Sequence, residues 1–593
     1  MKKCPQCGRE YDNTMMFCLD DGAELLYGPA SMDEPKTAIL SEPPASAGGQ
    51  VDEPQTAILS DRAASAGGQV FDDKPTQPFI HTTAAAESQE SLRDSTERLS
   101  LSAHRAAKPL LVALVVAVVA LGVFFGYRYF APAKQINSIA VMPFENRSGN
   151  AETDYLSDGL ADSLIYRLSQ LPNLKVSPTS SVMRYKGNET DVAQIAKELE
   201  VDAVMSGRLV QRGDDLSISV QLIDSRNKKL VWAEQYDRKM SDLLATQREI
   251  ATAITQKLQL KLAGDEKGIA KKYTNSNEAY QLYMLGRYHF ARRNRDDVKK
   301  AIESFEQAIK LDPNFALAYA RIAEAYNQMP NYPYASPMDA FPKAKAAAEK
   351  AIELDPTLSE AHTALGNTLT SLDRNWPAAE SEFKRALELD PNSATAHYRY
   401  ASEYLISVGR TKEAVAEVER ALEIEPLDPN MVANLGRHYL YDGQRDRALA
   451  QAKRAYEADP NFVIARLLYG MTLNAVGQYE EAATLSEKAL LDDPNNQHML
   501  LVVGYAYGRS GRRADAERVI ERFREISKKE YVIPSFVAVV FGAMGEKDKA
   551  IAELERSVEQ HDSWFRWAKV EPLFDPLRDD PRFNSLLKRM GMP

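Results

Sequence analysis

The residues best suited to chemistry stand at the start of the chain. Cys4-Pro-Gln-Cys7-Gly brings two thiolates onto one tight turn. Ten residues later Cys18-Leu-Asp-Asp21-Gly repeats the shape with a carboxylate in the last place. Three thiolates and a carboxylate suit a closed tetrahedral zinc site. A segment this short buries too little apolar surface to fold alone, so the metal would supply the folding energy. No His or Glu nearby has a water-activating arrangement, so the expected role of Cys4, Cys7, Cys18 and Asp21 is structural zinc binding. Elsewhere there is no GxxxxGK[ST], no helix-opening GxGxxG, no GxSxG and no HExxH. The expectation is a protein that is not an enzyme.

These residues must be positioned by pieces of very different composition. The chain has 593 residues, too many for one core, and a net charge of -11 from 73 basic and 84 acidic residues. That balance fits poorly with coating nucleic acid, and none is expected as a partner. The 1–27 segment resembles the short zinc-ribbon modules of bacterial proteins, with Asp21 where that family usually has Cys. Residues 28–107 form a Pro-, Ser-, Ala- and acid-rich arm with the composition of a disordered linker. A 19-residue tandem repeat lies within it, DEPKTAILSEPPASAGGQV followed by DEPQTAILSDRAASAGGQV. Thr37 and Thr56, each preceded by acidic residues, are candidate phosphorylation sites. A tandem duplication of linker without function accounts for the repeat equally well. Residues 109–127 hold 19 residues without a charge, long enough for one transmembrane helix. Arg93, Arg98, Arg105 and Lys108 precede it and only Arg128 and Lys134 follow closely. The positive-inside rule then predicts a single-pass inner-membrane protein, N-terminus cytoplasmic and C-terminal domains extracytoplasmic. The cysteines would thus sit in a reducing compartment.

From 136 to 264 strand-like and helix-like patterns alternate. SIAVMPF (138–144) and LKVSP (174–178) read as strands, and a helix carries Leu160, Leu164 and Leu168. A second helix starts at Asp191 with Gln194 in a capping-box arrangement. Three more strands follow, joined at Arg212-Gly213-Asp214 and Asp224–Lys229, before a last helix from Ser241 to about Leu262. The pattern predicts a compact α/β domain. The stretches IAVMPFENRSG, YLSDGLADSLIYRLSQLPNLKV, DAVMSGRLVQRGDDLSISVQLID and VWAEQYDR resemble the TolB N-terminal-like (FlgO-like) domain. That resemblance implies no catalytic chemistry. Asp158-Gly159 reads as a helix-start or tight-turn pair, and Arg184, Tyr185 and Lys186 as a basic patch or a solvated loop.

From residue 276 a period of about 34 appears. Pro313, Pro356, Pro391, Pro426, Pro460 and Pro494 are spaced 43, 35, 35, 34 and 34 apart, the first interval carrying an insertion around Met329–Pro337. Small residues recur on a fixed grid in the helices between them, as at Ala323, Gly366, Ala401, Gly436, Gly470 and Gly504. This grid resembles that of tetratricopeptide (TPR) repeats. It gives eight units over 276–592, the last two degenerate, with a C-terminal cap. The resemblance implies an all-α superhelix whose concave face is lined by the first helix of each unit. On that face it places Arg287, Asn327, Asn367, Asn430, Arg437, Tyr441, Asn474, Tyr505 and Arg509, suited to an extended peptide.

The expected whole is multidomain: zinc ribbon, disordered linker, single transmembrane helix, TolB N-terminal-like α/β domain and TPR superhelix. Its expected function is a non-enzymatic, membrane-anchored scaffold whose repeats bind a protein or peptide outside the cytoplasm. The alternatives are a one-component signalling or transcription-regulating membrane sensor, and a hydrolase with an unrecognised site in 136–264. Zinc titration of a peptide spanning 1–27 is expected to fold it, and Asp21→Ala to weaken that response. Circular dichroism checks both; an unchanged response in the variant removes Asp21 from the site.

Overall fold

The computed structural model describes residues 2–3, 10–11, 136–149, 153–171, 174–187, 191–258, 272–292 and 294–592. The chain divides into two compact units, 1–121 and 122–593, each taken by itself. In the first, strand β1 (Lys2–Lys3) pairs antiparallel with β2 (Glu10–Tyr11), with Cys4 and Cys7 lying between them in sequence. The four expected zinc ligands, the arm with Thr37 and Thr56, and residues 109–127 all lie outside the described residues.

The expected fold class is corrected on one point. Among the described residues no helix is long and apolar enough to cross a membrane. The longest, Pro337–Leu354 with 18 residues, carries six charged side chains. The structure shows an N-terminal β/α region and a large all-α repeat superhelix. The single-pass inner-membrane placement, with its cytoplasmic N-terminus and extracytoplasmic C-terminal domains, is not supported.

The second unit opens with the α/β region. Strands β3 (Ser138–Val141), β4 (Glu145–Asn146), β5 (Lys175–Val176), β6 (Ala203–Arg212), β7 (Asp215–Asp224) and β8 (Lys229–Lys239) form one sheet. Its order is β5-β3-β6-β7-β8, with β4 also on β6. β3 runs parallel to β5 and β6, whereas β6, β7 and β8 form the antiparallel meander read from the turns. The helices are α1 (Asp154–Ser169), α2 (Thr179–Met183), α3 (Val192–Glu198) and α4 (Leu243–Lys257). β4 and α2 were not foreseen, because two- and five-residue elements carry too little periodicity to read. Asp191 makes no side-chain cap, so the capping box does not close. Asp158 and Gly159 lie inside α1 rather than at its start. A Cβ on Gly159 would meet Met284 Sδ at 2.8 Å, so this glycine permits close approach of the first repeat.

Eight antiparallel helix pairs follow. They are α5 (Asn277–Ala291) with α6 (Arg295–Leu311), α7 (Ala316–Gln328) with α8 (Pro337–Leu354), and α9 (Ser359–Thr368) with α10 (Trp376–Leu389). Next come α11 (Ala394–Arg399) with α12 (Thr411–Ile424), α13 (Pro429–Tyr441) with α14 (Arg445–Ala458), and α15 (Val463–Ala475) with α16 (Tyr479–Asp492). The last are α17 (Gln497–Arg509) with α18 (Arg513–Ser527) and α19 (Pro534–Ala543) with α20 (Lys547–Glu559). The two 35-residue intervals of the proline period have a structural cause. α9 runs on into a π-helical Leu369–Asp373, and α11 into a π-helical Tyr400–Leu405. One extra residue per unit is absorbed as a local widening of the helix. From Gly409 onward, left-handed glycines (Gly409, Gly443, Gly477, Gly511, Gly545) close the turn inside each pair at a strict spacing of 34.

One apolar core runs from the sheet through α1 and α4 into the first repeats. It joins Ile139, Leu164 and Ile254 to Tyr283, Phe305 and Ala361. At the other end the chain does not stop at a simple cap. Residues 561–592, with short 3-10 turns at Phe565–Trp567 and Pro572–Leu577 and helix α21 (Pro581–Arg589), turn back over the inside of the array. The 329–337 insertion meets it there. The Asn331 carbonyl accepts from Trp564 Nε1 at 3.3 Å and lies 3.1 Å from His498 Nε2, which must carry the proton. Arg295 on α6 also reaches Glu530 beyond α18, at 2.8 Å.

His438 and His498 are both buried at this closure. Burial, with Arg437 beside it, holds the His438 imidazole down to about 3. Burial alone holds His498 down to about 4. Both stay neutral in the folded protein while the unfolded chain takes up protons below its ordinary value of about 6.5. Their contribution to stability is therefore full above about pH 6.5 and is lost as pH falls toward 4. The melting temperature of the wild-type chain should fall more steeply over that interval than that of His438→Gln/His498→Gln. Parallel melting curves would disprove the assignment.

Candidate functional site

A cavity of about 490 Å³ opens between α1 of the α/β region and the first helices of the repeats. α1 contributes Asp158, Asp162 and Tyr166, and α5 contributes Tyr280, Tyr283 and Arg287. α7 adds Arg321, Glu324 and Asn327, and α9 adds Glu360 and Asn367. Arg399 of α11 and the inter-helix residues Asp390 and Glu425 complete the far side. The two walls are tied directly. Arg287 forms an ion pair with Asp162, which also accepts from Thr179 Oγ1 at 2.5 Å. Ser180 Oγ donates to Glu425 at 3.2 Å.

Charges alternate along the repeat wall. Arg321 lies 2.8 Å from Glu324 and 3.9 Å from Glu360. Arg399 lies 4.0 Å from the same Glu324 and 3.2 Å from Glu403. Glu403 in turn pairs with Arg566 of the returning tail, both side chains being almost fully buried. On the α1 wall Lys186 holds Asp158 at 2.7 Å and approaches Asp154 at 3.6 Å. Arg184 pairs with Glu198 at 2.8 Å, so the foreseen basic patch is neutralised by local carboxylates.

The residues placed on the concave face by the repeat grid divide into three groups. Arg287, Asn327 and Asn367 line the cavity. Asn327 also bonds across repeats, donating to the Ala364 carbonyl at 2.9 Å and accepting from Thr368 at 2.9 Å. Asn430, Arg437 and Tyr441 lie beneath the tail. Arg437 stacks on Trp567 with its guanidinium carbon 4.3 Å from a ring centroid, and Tyr441 donates to Glu571 at 2.6 Å. Asn430 accepts from Asn434 at 3.2 Å, and it and Arg437 border a remnant cavity of about 60 Å³ walled by Trp564 and Trp567. Asn474, Tyr505 and Arg509 line neither cavity. Asn474 donates to the Val502 carbonyl at 2.9 Å, Tyr505 is buried, and Arg509 is exposed with Nε 3.4 Å from the Tyr479 hydroxyl.

The grid missed Arg321 and Arg399. Each stands two places before the small residue of its helix, Ala323 and Ala401. That is one turn from the position of Arg287, Asn367 and Arg437, on the same face. Extending the grid by one turn would have found both. Nothing in the repeat pattern pointed to Trp564, Arg566 or Trp567. Among the described residues no three His, Cys, Asp or Glu side chains converge on a metal position.

Comparison with known proteins bears on both halves of this site. The second-domain family of HilA/YgeH-like transcriptional regulators matches residues 134–253. Three tetratricopeptide families match residues 291–329, 373–430 and 439–504, so the array consists of TPR repeats, the class that generally serves as protein-binding scaffold or adaptor. The protein named "Putative adenylate cyclase 3" of Rhizobium meliloti (strain 1021) is 31% identical over 245 residues, 41% of each chain. Transcriptional regulator HilA of Salmonella typhimurium (strain LT2) is 25% identical over 248 residues, 41% of this chain and 43% of the relative. The chain thus matches about two fifths of the length of these relatives. Among solved structures, a thermophilic TPR protein of Thermus thermophilus aligns at 22% identity and a TM-score of 0.28 over 33% of this chain and 98% of its own. PilW, a type IV pilus biogenesis factor, aligns at 20% and 0.30 over 37% and 96%. TolB from Acinetobacter baumannii reaches only 0.16, at 19% identity over 21% of this chain and 29% of its own. The TolB N-terminal-like resemblance is not shown.

Removing one partner of a buried ion pair strands the other charge, at a cost of about 3–5 kcal/mol. Arg566→Ala should destabilise the chain by about that amount, whereas Arg509→Ala, at an exposed side chain, should leave stability within about 0.5 kcal/mol. Chemical denaturation measures both.

Proposed function

We propose that the protein is a non-enzymatic adaptor whose TPR array holds an extended segment of a protein partner against α1, at the N-terminal end of the repeat groove. The observation that carries this reading is the division of the groove. The chain's own tail fills the surface around Asn430, Arg437 and Tyr441, while the cavity bordered by Arg287, Asn327 and Asn367 stays open. Its volume of about 490 Å³ suits a few side chains of such a segment. The site would then combine two walls, repeat helices that supply the concave surface and an α/β region that selects what enters. The Cys4, Cys7, Cys18 and Asp21 set with zinc, and Thr37 and Thr56 if phosphorylated, would serve as a separate contact point.

A second reading is a one-component signalling or transcription-regulating protein. The match of 134–253 to the second domain of HilA/YgeH-like regulators favours it, as does the stretch shared with a relative whose name gives a different output, cyclase activity. In that reading the same cavity is the input. A hydrolase within 136–264 gains no support. The cavity at the β7–β8 end sets Ser217 Oγ 2.7 Å from Asp237, and no histidine lines it.

A photo-crosslinking residue at Thr395, on the cavity wall, should capture a protein partner in cells, and one at the exposed Leu491 should not. Arg287→Ala should lower the Thr395 adduct by about tenfold, the loss expected for one charge-assisted contact. Equal adducts at both positions, or an adduct indifferent to Arg287, would remove the cavity as the partner site. Transcript profiles that shift with Arg287→Ala would favour the second reading.

A further inference from the structure

Arg437 is a buried cation without an anion. It is only 7% exposed, and its Nε has no hydrogen-bond partner. Among the described residues its Nη1 and Nη2 donate to nothing, and no carboxylate stands within ion-pair distance. What it has is the indole of Trp567, 4.3 Å from the guanidinium carbon, and the ring of Tyr441 at 6.0 Å. A ring takes the face of a guanidinium. The N–H groups lie in the guanidinium plane and point past the ring. A buried charge whose donors find no acceptor is costly to keep.

The unmet edge borders a space. Arg437 lines the cavity of about 60 Å³ under the tail. Nε is sealed from that space, whereas Nη1 and Nη2 keep surface. Asn430, two turns earlier on the same face of α13, lines it too. Its Oδ1 accepts from Asn434 at 3.2 Å, and among the described residues its Nδ2 has no acceptor. Asn331 on the wall adds an amide with neither end bonded, which offers a donor whichever way it is turned.

The local charge is positive. Arg399 and Arg566 share Glu403, and Arg437 is a third cation beside them. Burial holds the Arg566 guanidinium down against the pull of Glu403, and the charges of Arg437 and Arg399 add to the fall. Glu571 lies within range of Arg437's charge but forms no ion pair with it. That carboxylate is taken by Tyr441 at 2.6 Å and by the Leu573 N–H at 3.1 Å. Trp564, Trp567, Ile464, Leu467 and Leu468 make much of the remaining wall apolar. A strongly hydrated ion would lose its water there without replacement. The space suits a few waters or one small ion.

We propose that the cavity under the tail binds a small, weakly hydrated monovalent anion of the halide kind, held by the Nη groups of Arg437 and by Asn430 Nδ2. Bound there, the anion offsets the third arginine and links the repeat wall to the tail that covers it. The site is independent of any partner in the open cavity.

Two of the chain's four tryptophans wall the cavity, so a heavy halide seated there quenches their fluorescence. The probe is iodide titrated into the full chain, with gluconate holding total salt at about 150 mM so that screening stays constant. The expected quenching saturates and is relieved by chloride, whereas quenching by collision alone rises linearly with iodide. Arg437→Gln should weaken iodide about tenfold, the loss of one charge-assisted donor. Asn430→Asp builds a carboxylate into the wall beside Arg437 and should abolish the saturable quench, since the site then holds its own anion. Melting curves show that each variant folds. The wild-type melting temperature should rise when chloride replaces gluconate, and that of Asn430→Asp should not. Saturation at the same iodide concentration in both variants places the ion elsewhere and overturns the proposal. A linear quench, or none, leaves only water in the cavity and overturns it as well.

Discussion

A line of alternating charges along the inside of the superhelix links the rest of the structure together. It runs Glu360, Arg321, Glu324, Arg399, Glu403, Arg566, from the open cavity to the returning tail. Glu403 and Arg566 are almost fully buried and the other four are partly buried, so the inner end of the line depends most on its neighbours to offset the loss of hydration. The first repeats cannot shift without exposing an end of the line to an unpaired partner. The tail cannot leave without stranding Glu403. A partly buried line of this kind adds less to net stability than to specificity, because only one register satisfies every charge.

The same constraint explains why the groove is divided. Two π-helical widenings, each made by one extra residue, stand where the tail docks. Ser371 accepts from Arg566 at 2.7 Å, and the Ser402 carbonyl accepts from Trp567 Nε1 at 2.9 Å. A widened turn changes which backbone and side-chain groups face inward. Insertions that break the repeat length thus create the points that receive the chain's own C-terminal segment. The α/β region closes the other end through Arg287 and Asp162 and through a core that does not stop at the domain boundary.

Much of the fold was legible because it follows from periodicity. The proline and small-residue grid gave eight helix pairs, and alternating strands with tight turns gave the β6–β8 meander. What escaped notice is non-periodic. Trp564, Arg566 and Trp567 act through contacts 165 to 233 residues away in sequence, which no local pattern encodes. Asn430 and Arg437 were correctly placed on the concave face, but their occupant is internal. Asp158 with Gly159 reads in the sequence as a helix-start or tight-turn pair, and the structure places both inside α1. The character of that pair comes from α1 being pressed against the first repeat through Gly159 and Met284, a tertiary fact. The membrane placement rested on composition at 109–127 and finds no counterpart among the described residues.

An open solenoid is a stack in which each unit answers only to its neighbours, so it can fray from either end. Here Arg295 grips Glu530, Arg374 donates to the Val558 carbonyl at 2.7 Å, and Trp376 Nε1 donates to the Met590 carbonyl at 3.3 Å. These clasps join the first and third units to the seventh, the eighth and the tail. The array becomes a loop fastened to itself, with no free terminus from which melting can spread. Shortening it by whole units, harmless in a linear stack, would here undo the fastening and loosen repeats far from the cut.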